Sequence, residues 1–305
     1  MLKPRENPIN RSRQRALKNK QAKAKYNEII VLATMSAGKS TLINALLGTE
    51  LMPSSNTACT AKVFRIDDID TQKNFLTLCS KRKRWVLANP NKLMDENDSG
   101  QAPVVRIKGN IAGVKNYRAK LSLFDTPGPN NSQSHSHREI TKQLLNDGNY
   151  GAVIYVMSAT QFGVNDDAAL LAEFKQVEDS NKQKKDIIFV LNKVDQLDEE
   201  KGETIEKAIK TAKDYLTAMN FHSPTVIPVS ALTALQARKA LNNEKLFRRD
   251  KANLRFQLEC LGKTTQDSSS NEFSEESMNA VLISSGIEEL EARLDNLVRN
   301  KKQNA

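Results

Sequence analysis

Lys39, Ser40 and Thr41 stand directly after Ala37-Gly38, where an apolar run gives way to helical spacing. An ammonium, a hydroxyl that can ligate a divalent cation and a glycine whose backbone can wrap an anion are the groups a polyphosphate needs. Lys39 is placed to reach the β- and γ-phosphates and Ser40 to bind Mg²⁺. Further on, Asp125-Thr126-Pro127-Gly128 offers a carboxylate that can hold the same cation through a water, and a Gly128 N–H for the γ-phosphate. Asn192-Lys193-Val194-Asp195 offers a base-reading set. The Asp195 carboxylate can accept from N1–H and the exocyclic amine of guanine, whereas adenine would leave it unpaired. Asn192 can bond the guanine edge, and the Lys193 stem can lie over the ring. In Ser230-Ala231-Leu232 the Ala231 N–H is the donor expected for guanine O6.

These groups need strand ends to hold them. Ile29 to Leu32 reads as a strand, Thr34 to Gly38 as a turn, and Leu42, Ile43, Leu46 and Leu47 as one face of a helix stopped by Gly48. The helix N-terminus adds unpaired N–H groups and a partial positive charge for an anion. The loop pattern asks for Gly at its first position, where this chain has Ala33. Glu50 to Thr60 is a polar loop before a strand over Ala61–Ile66. A threonine in such a loop completes the Mg²⁺ shell and holds the attacking water with its carbonyl; Thr60 fits, with Thr57 as the alternative. Leu121–Phe124 reads as the strand that delivers Asp125, and Pro129–His137 as a polar switch loop. Gly151–Ala159 and Asp186–Leu191 are continuous apolar runs, as strands of a parallel sheet covered on both faces require. Helices are expected over 164–174 and 203–219, and the last strand over Val226–Val229.

The chain has 305 residues with a net charge of +10. No apolar run approaches the roughly 20 residues that span a bilayer. Its basic first residues lack the apolar stretch of a secretory signal. Cys59, Cys79 and Cys260 are too scattered for a disulfide framework or a zinc site, which suits a reducing cytosol. Residues 1–27 read as a basic arm or helix, and 28–235 as the nucleotide domain with an inserted hairpin region at 70–118. Residues 236–305 read as a helical segment with a polar linker at 264–276 and an amphipathic helix over Gly286–Val298 that packs back onto the domain. Within the insertion, Asn74–Leu78 and Pro103–Ile107 read as strands and Asn89–Gly100 as a turn-rich stretch. Lys81-Arg82-Lys83-Arg84 beside Trp85 can lie on a membrane surface, stack on a base, or simply keep a hairpin edge from pairing.

The motifs Ala33–Thr41, Thr60, Asp125–Gly128, Asn192–Asp195 and Ser230–Leu232 stand in the order of a P-loop GTPase. Within that class the chain resembles the dynamin superfamily, and bacterial dynamin-like proteins in particular. Thr34 to Ala45, Leu51-Met52-Pro53 and Asp125 to Asn130 carry the likeness. The resemblance implies an α/β fold, a three-layer P-loop GTPase domain with a mostly parallel central sheet and flanking helices from both termini. It implies GTP as substrate, Mg²⁺ as cofactor with Ser40, Thr60 and Asp125 as its ligands, and a monovalent cation arranged by Ser36 in place of an arginine finger. Ser36, Lys39 and Thr60 are the catalytic set it implies. No glutamine follows Gly128, so water positioning falls to the Thr60 backbone and Ser36. The Ser36 role needs two heads facing each other, hence a nucleotide-dependent homodimer. A cytoplasmic location is expected. A peripheral membrane or a longer dynamin-like partner stays open, and nucleic acid is disfavoured because no RNA-binding motif is visible. Dynamin-like proteins are much longer; with fewer than eighty residues after Leu232, the expectation is a head with little stalk. The alternatives are a slow nucleotide-gated interaction module and an RNA- or ribosome-associated GTPase.

Overall fold

The computed structural model describes residues 27–34, 36–53, 62–100, 102–114, 121–126, 134–161, 165–180, 185–263 and 273–300. The basic arm, Thr57, Thr60, Gly128 and most of the 264–276 stretch lie outside them.

Among the described residues, β1 (Asn27–Ala33) is the sixth strand of a nine-stranded sheet of order β4-β3-β5-β2-β6-β1-β7-β8-β9. The strands are β2 (Val63–Asp68), β3 (Leu76–Cys79), β4 (Arg84–Leu87), β5 (Val104–Gly109), β6 (Leu121–Asp125), β7 (Ala152–Ser158), β8 (Asp186–Asn192) and β9 (Val226–Val229). From β6 to β9 all neighbours are parallel. β2 turns the direction: it runs antiparallel to β6 and parallel to β5. Arg65 pins that junction, its Nε donating to Asp67 Oδ1 at 2.7 Å and its Nη1 to Glu28 Oε1 at 3.0 Å.

The alternation of β1 divides the core. Ile29, Val31 and Ala33 face one cluster, and Ile30 and Leu32 the other. The first cluster is closed by α1 (Lys39–Leu47), α2 (Pro90–Ser99), α6 (Ala231–Leu241), α7 (Arg248–Cys260), α8 (Glu275–Ser284) and α9 (Ile287–Asn300). The second is closed by α3 (Ser134–Asn146), α4 (Asn165–Ser180) and α5 (Ile205–Ala218), around stacked and tilted rings of Tyr155, Phe174, Phe189 and Phe221. The result is the expected three-layer α/β architecture. Each fully buried Leu, Ile or Phe of these clusters contributes about 1.5–3 kcal/mol relative to exposure.

Four local differences from the sequence expectations have physical causes. The turn-rich stretch at 89–100 is largely helix α2, because the Asn89 side chain accepts from Lys92 N–H at 2.9 Å and Pro90 begins the helix with its φ already set. The insertion holds a third strand, β4, which pairs with β3 through the basic turn. Helix α3 starts at Ser134 and so takes in the end of the expected switch loop. Helix α8, absent from the sequence reading, is capped by Ser274 accepting from Ser277 N–H at 3.2 Å, and buries Met278, Val281 and Leu282. As expected, α9 packs back, with Ile287, Leu290 and Leu294 fully buried.

Candidate nucleotide site

Four loops converge at the carboxyl ends of β1, β6, β8 and β9, where open parallel sheets bind ligands. Ala33 is the last residue of β1 and pairs with Val156, so its backbone is extended and a Cβ costs nothing there. That is why Ala serves where the pattern asks for Gly. The demanding position is Gly38. It caps α1 at φ 90°, and a Cβ on it would lie 2.3 Å from Asn192 Nδ2. Ser36, at the turn of the loop, is exposed with φ 63°.

Lys39, Ser40 and Thr41 open α1 and are half-buried. The Lys39 ammonium pairs with Asp125 Oδ1. Asp125 is fully buried at the end of β6, and its second oxygen, Oδ2, has no hydrogen-bond partner among the described residues. A buried acceptor left without a donor costs about 1–3 kcal/mol. The water shell of a divalent cation held by Ser40 would satisfy it, so the residues present fit Mg²⁺. Next to Asp125, Thr126 Oγ1 donates to Val31 O at 2.9 Å and locks β6 to β1 below the loop.

Asn192, at the end of β8, is buried and bridges two loops. Its Nδ2 donates to Ala37 O at 2.8 Å, and its Oδ1 accepts from Ala231 N–H at 3.1 Å. Sequence reasoning put Asn192 on the guanine edge and left the Ala231 N–H open for O6; in the structure the two groups meet each other. Lys193 follows with φ 68°, and its Cε lies 4.0 Å from the position a Cβ on Gly38 would take. Its stem therefore runs beside the phosphate loop. Asp195 sits in a 3₁₀ turn (Val194–Gln196), half-buried, with a carboxylate that bonds no described residue. Ser230 precedes α6 and donates its N–H to Ser285 O at 2.8 Å. The structure thus gathers Ala37, Gly38, Lys39, Asp125, Asn192 and Ala231, with Ser40, Thr41, Lys193, Asp195 and Ser230 beside them. Thr60 and Gly128 lie outside the described residues.

Three supports escaped the sequence reading. Asn44 is buried in α1; its Nδ2 donates to Met52 O at 2.9 Å, and its Oδ1 accepts from Leu51 N–H at 3.0 Å and Met52 N–H at 2.6 Å. It anchors the chain just before the expected switch loop. A polar residue inside an apolar helical run was the available signal. Arg238 of α6 donates to Ala45 O near the end of α1 and to Glu291 of α9, a pairing of distant segments that no local pattern marks. Ser285, at the joint of α8 and α9, donates its Oγ to Leu282 O at 2.6 Å and accepts the distant Ser230 N–H on its carbonyl at 2.8 Å.

A sequence profile described as Dynamin family matches residues 29–194. Among solved structures, two chains of an oligomerised bacterial dynamin pair, described as sensing and tethering membranes over long range, share the fold. One has TM-score 0.51 and 18% identity, covering 97% of this chain and 45% of that one. The other has TM-score 0.50 and 17% identity, covering 98% of this chain and 56% of that one. The chain therefore spans about half the length of either. Nothing among curated proteins matches it.

Proposed function

The chain belongs to the dynamin family, and from that premise we propose that it binds GTP with Mg²⁺ and hydrolyses the γ-phosphate by in-line attack of water, with two heads face to face. The observation that carries this reading is the pairing of Lys39 with a buried Asp125 whose second oxygen has no partner among the described residues. Lys39 neutralises Asp125 through its Oδ1. The β- and γ-phosphates draw the ammonium to themselves, which opens Asp125 to the water shell of the cation. Mg²⁺, when bound, offsets the charge of the phosphates and of the transition state. Ser40 would hold it directly and Asp125 through water. The N–H groups of the first turn of α1 point at the same anion.

Asp195, whose carboxylate bonds no described residue, reads the guanine amine and N1–H, and the Lys193 stem covers the base. Asn192 acts as a positioning residue, holding Ala37 and the Ala231 turn in one frame. Ser36, exposed at the tip of the loop, is free to meet a second copy. GTP binding and turnover test the reading. Lys39→Ala should abolish nucleotide binding, and retained binding would remove the assignment. Asp195→Asn should weaken GTP by at least about tenfold and gain xanthosine triphosphate, which follows from losing a charge-assisted pair of about 1.5–3 kcal/mol. Specific activity should rise with protein concentration; a flat profile would discard the head-to-head part.

A further inference from the structure

The hairpin β3–β4 carries Lys81, Arg82, Lys83 and Arg84 in its turn and at the start of β4. All four are exposed, and none forms an ion pair with a described residue. β4 is the outermost strand at that end of the sheet. The register sets Trp85 opposite Leu78, Leu87 opposite Leu76, and Leu76 opposite Lys108 of β5. With side chains alternating along each strand, Trp85, Leu87, Leu76, Leu78, Arg106 and Lys108 share one face. The other face, with Ile107, belongs to the core that Leu93 of α2 closes. The first face is open: Leu87 is 54% exposed, and Arg106, partly paired with Asp67 at 3.5 Å, is exposed too. Lys108 Nζ lies 4.3 Å from the Trp85 ring centroid and Arg106 Cζ 5.7 Å from it.

Such a patch suits a polyanion, and its details choose between two. A nucleobase stacks on a bare ring, but here two cations already lie over the indole. The aliphatic row beside it gives a phosphodiester chain nothing to bind. A tryptophan with an apolar row on one side and cations around it has the composition that settles at the headgroup level of a bilayer. We propose that the β3–β4 hairpin face, from Lys81 to Leu87 with Arg106 and Lys108, docks on the surface of an anionic lipid bilayer. This is independent of nucleotide chemistry, so its failure would leave the GTPase reading untouched.

Trp85 is the only tryptophan of the chain, so its emission reports on this face alone. The full chain is mixed with vesicles of phosphatidylcholine, or of phosphatidylcholine with an equal share of phosphatidylglycerol. Expected with the anionic vesicles are co-sedimentation, a blue shift of emission and quenching by brominated acyl chains, all falling as salt is raised. Phosphatidylcholine alone should give none of these. Each cation near an anionic surface strengthens binding about fivefold, so Lys81→Gln/Arg82→Gln/Lys83→Asn should weaken it on the order of a hundredfold. Asn is chosen at 83 because that residue has φ 51°. GTP turnover without vesicles should be unchanged in the triple variant. Sedimentation with unshifted Trp85 emission would place binding elsewhere in the chain and overturn the proposal. So would an absence of sedimentation, or an emission shift with a short RNA but not with the vesicles.

Discussion

Replacing Asn192 with Ala separates two roles that the base-reading motif confounds. If Asn192 served only to touch a bound base, Asn192→Ala would leave the nucleotide-free protein as stable as before. The structure gives it a different duty. Its side chain joins Ala37 O and Ala231 N–H, two backbone groups on residues at most 1% exposed. Removing it strands both. A buried polar group without its partner costs about 1–3 kcal/mol, so the two together predict a loss of roughly 2–6 kcal/mol. Water entering the space left by the side chain favours the lower part of that range. For a domain of this size each kcal/mol lowers Tm by about 2–4 °C, so a fall of at least about 4 °C is expected. The assay is calorimetry, supported by urea unfolding followed through Trp85, both without nucleotide. A Tm within a degree or so of the unaltered protein would refute the bridging role.

Two further predictions concern the C-terminal helices, beside the tests of Lys39 and Asp195 given above. Gly286 has φ 72°, and a Cβ on it would lie 2.1 Å from Pro228 O; Gly286→Ala should cost at least about 2 kcal/mol from the left-handed backbone and the displaced contact. It should also weaken guanine nucleotide binding through Ser230, and an unchanged urea midpoint would contradict it. Burial raises the Glu291 carboxyl to about 7 from an ordinary value of 4.5, and the Arg238 guanidinium beside it opposes that rise. Between those values the folded chain keeps a proton that the unfolded chain has released. Stability is therefore fully present below about pH 4.5 and declines as pH rises toward 7. Glu291→Gln should flatten that decline when Tm is followed from acid to neutral pH, and parallel profiles would argue against it.

Much of this molecule is legible in its sequence, for reasons that differ by element. β1, β7 and β8 are covered on both faces, so they appear as unbroken apolar runs. Lys39 after the β1 turn, Asp125 at the end of β6 and Asn192 at the end of β8 stand out as candidates because each motif is short and local, whereas the duty of Asn192 as a bridge is visible only in the fold. Helix α2 was legible in principle, since Asn89-Pro90 is a start signal, but its mean polarity resembled a loop. Helix α8 is harder: three buried residues on ten, behind a serine-rich stretch, give too little periodicity. The Ala33 departure also needed the strand register to explain it, because whether glycine is required depends on φ and not on size. What stayed hidden are contacts between segments far apart in the chain, such as Arg238 with Ala45 and Glu291, or Ser230 with Ser285. Their partners are chosen by packing.

The closure of one core by α8 and α9 also sets a clock. Ile29, Val31, Leu42 and Ile43, near the start of the chain, lie in the same cluster as Val281, Leu294 and Val298 near its end. At the roughly 5–20 residues per second of synthesis, the ribosome needs about 12–54 s to pass from one set to the other. During that interval the apolar side of the phosphate-loop strand and helix waits without its final cover. A nascent chain arrested before Gly286 would carry every nucleotide-binding motif and still present an open hydrophobic face to chaperones and proteases.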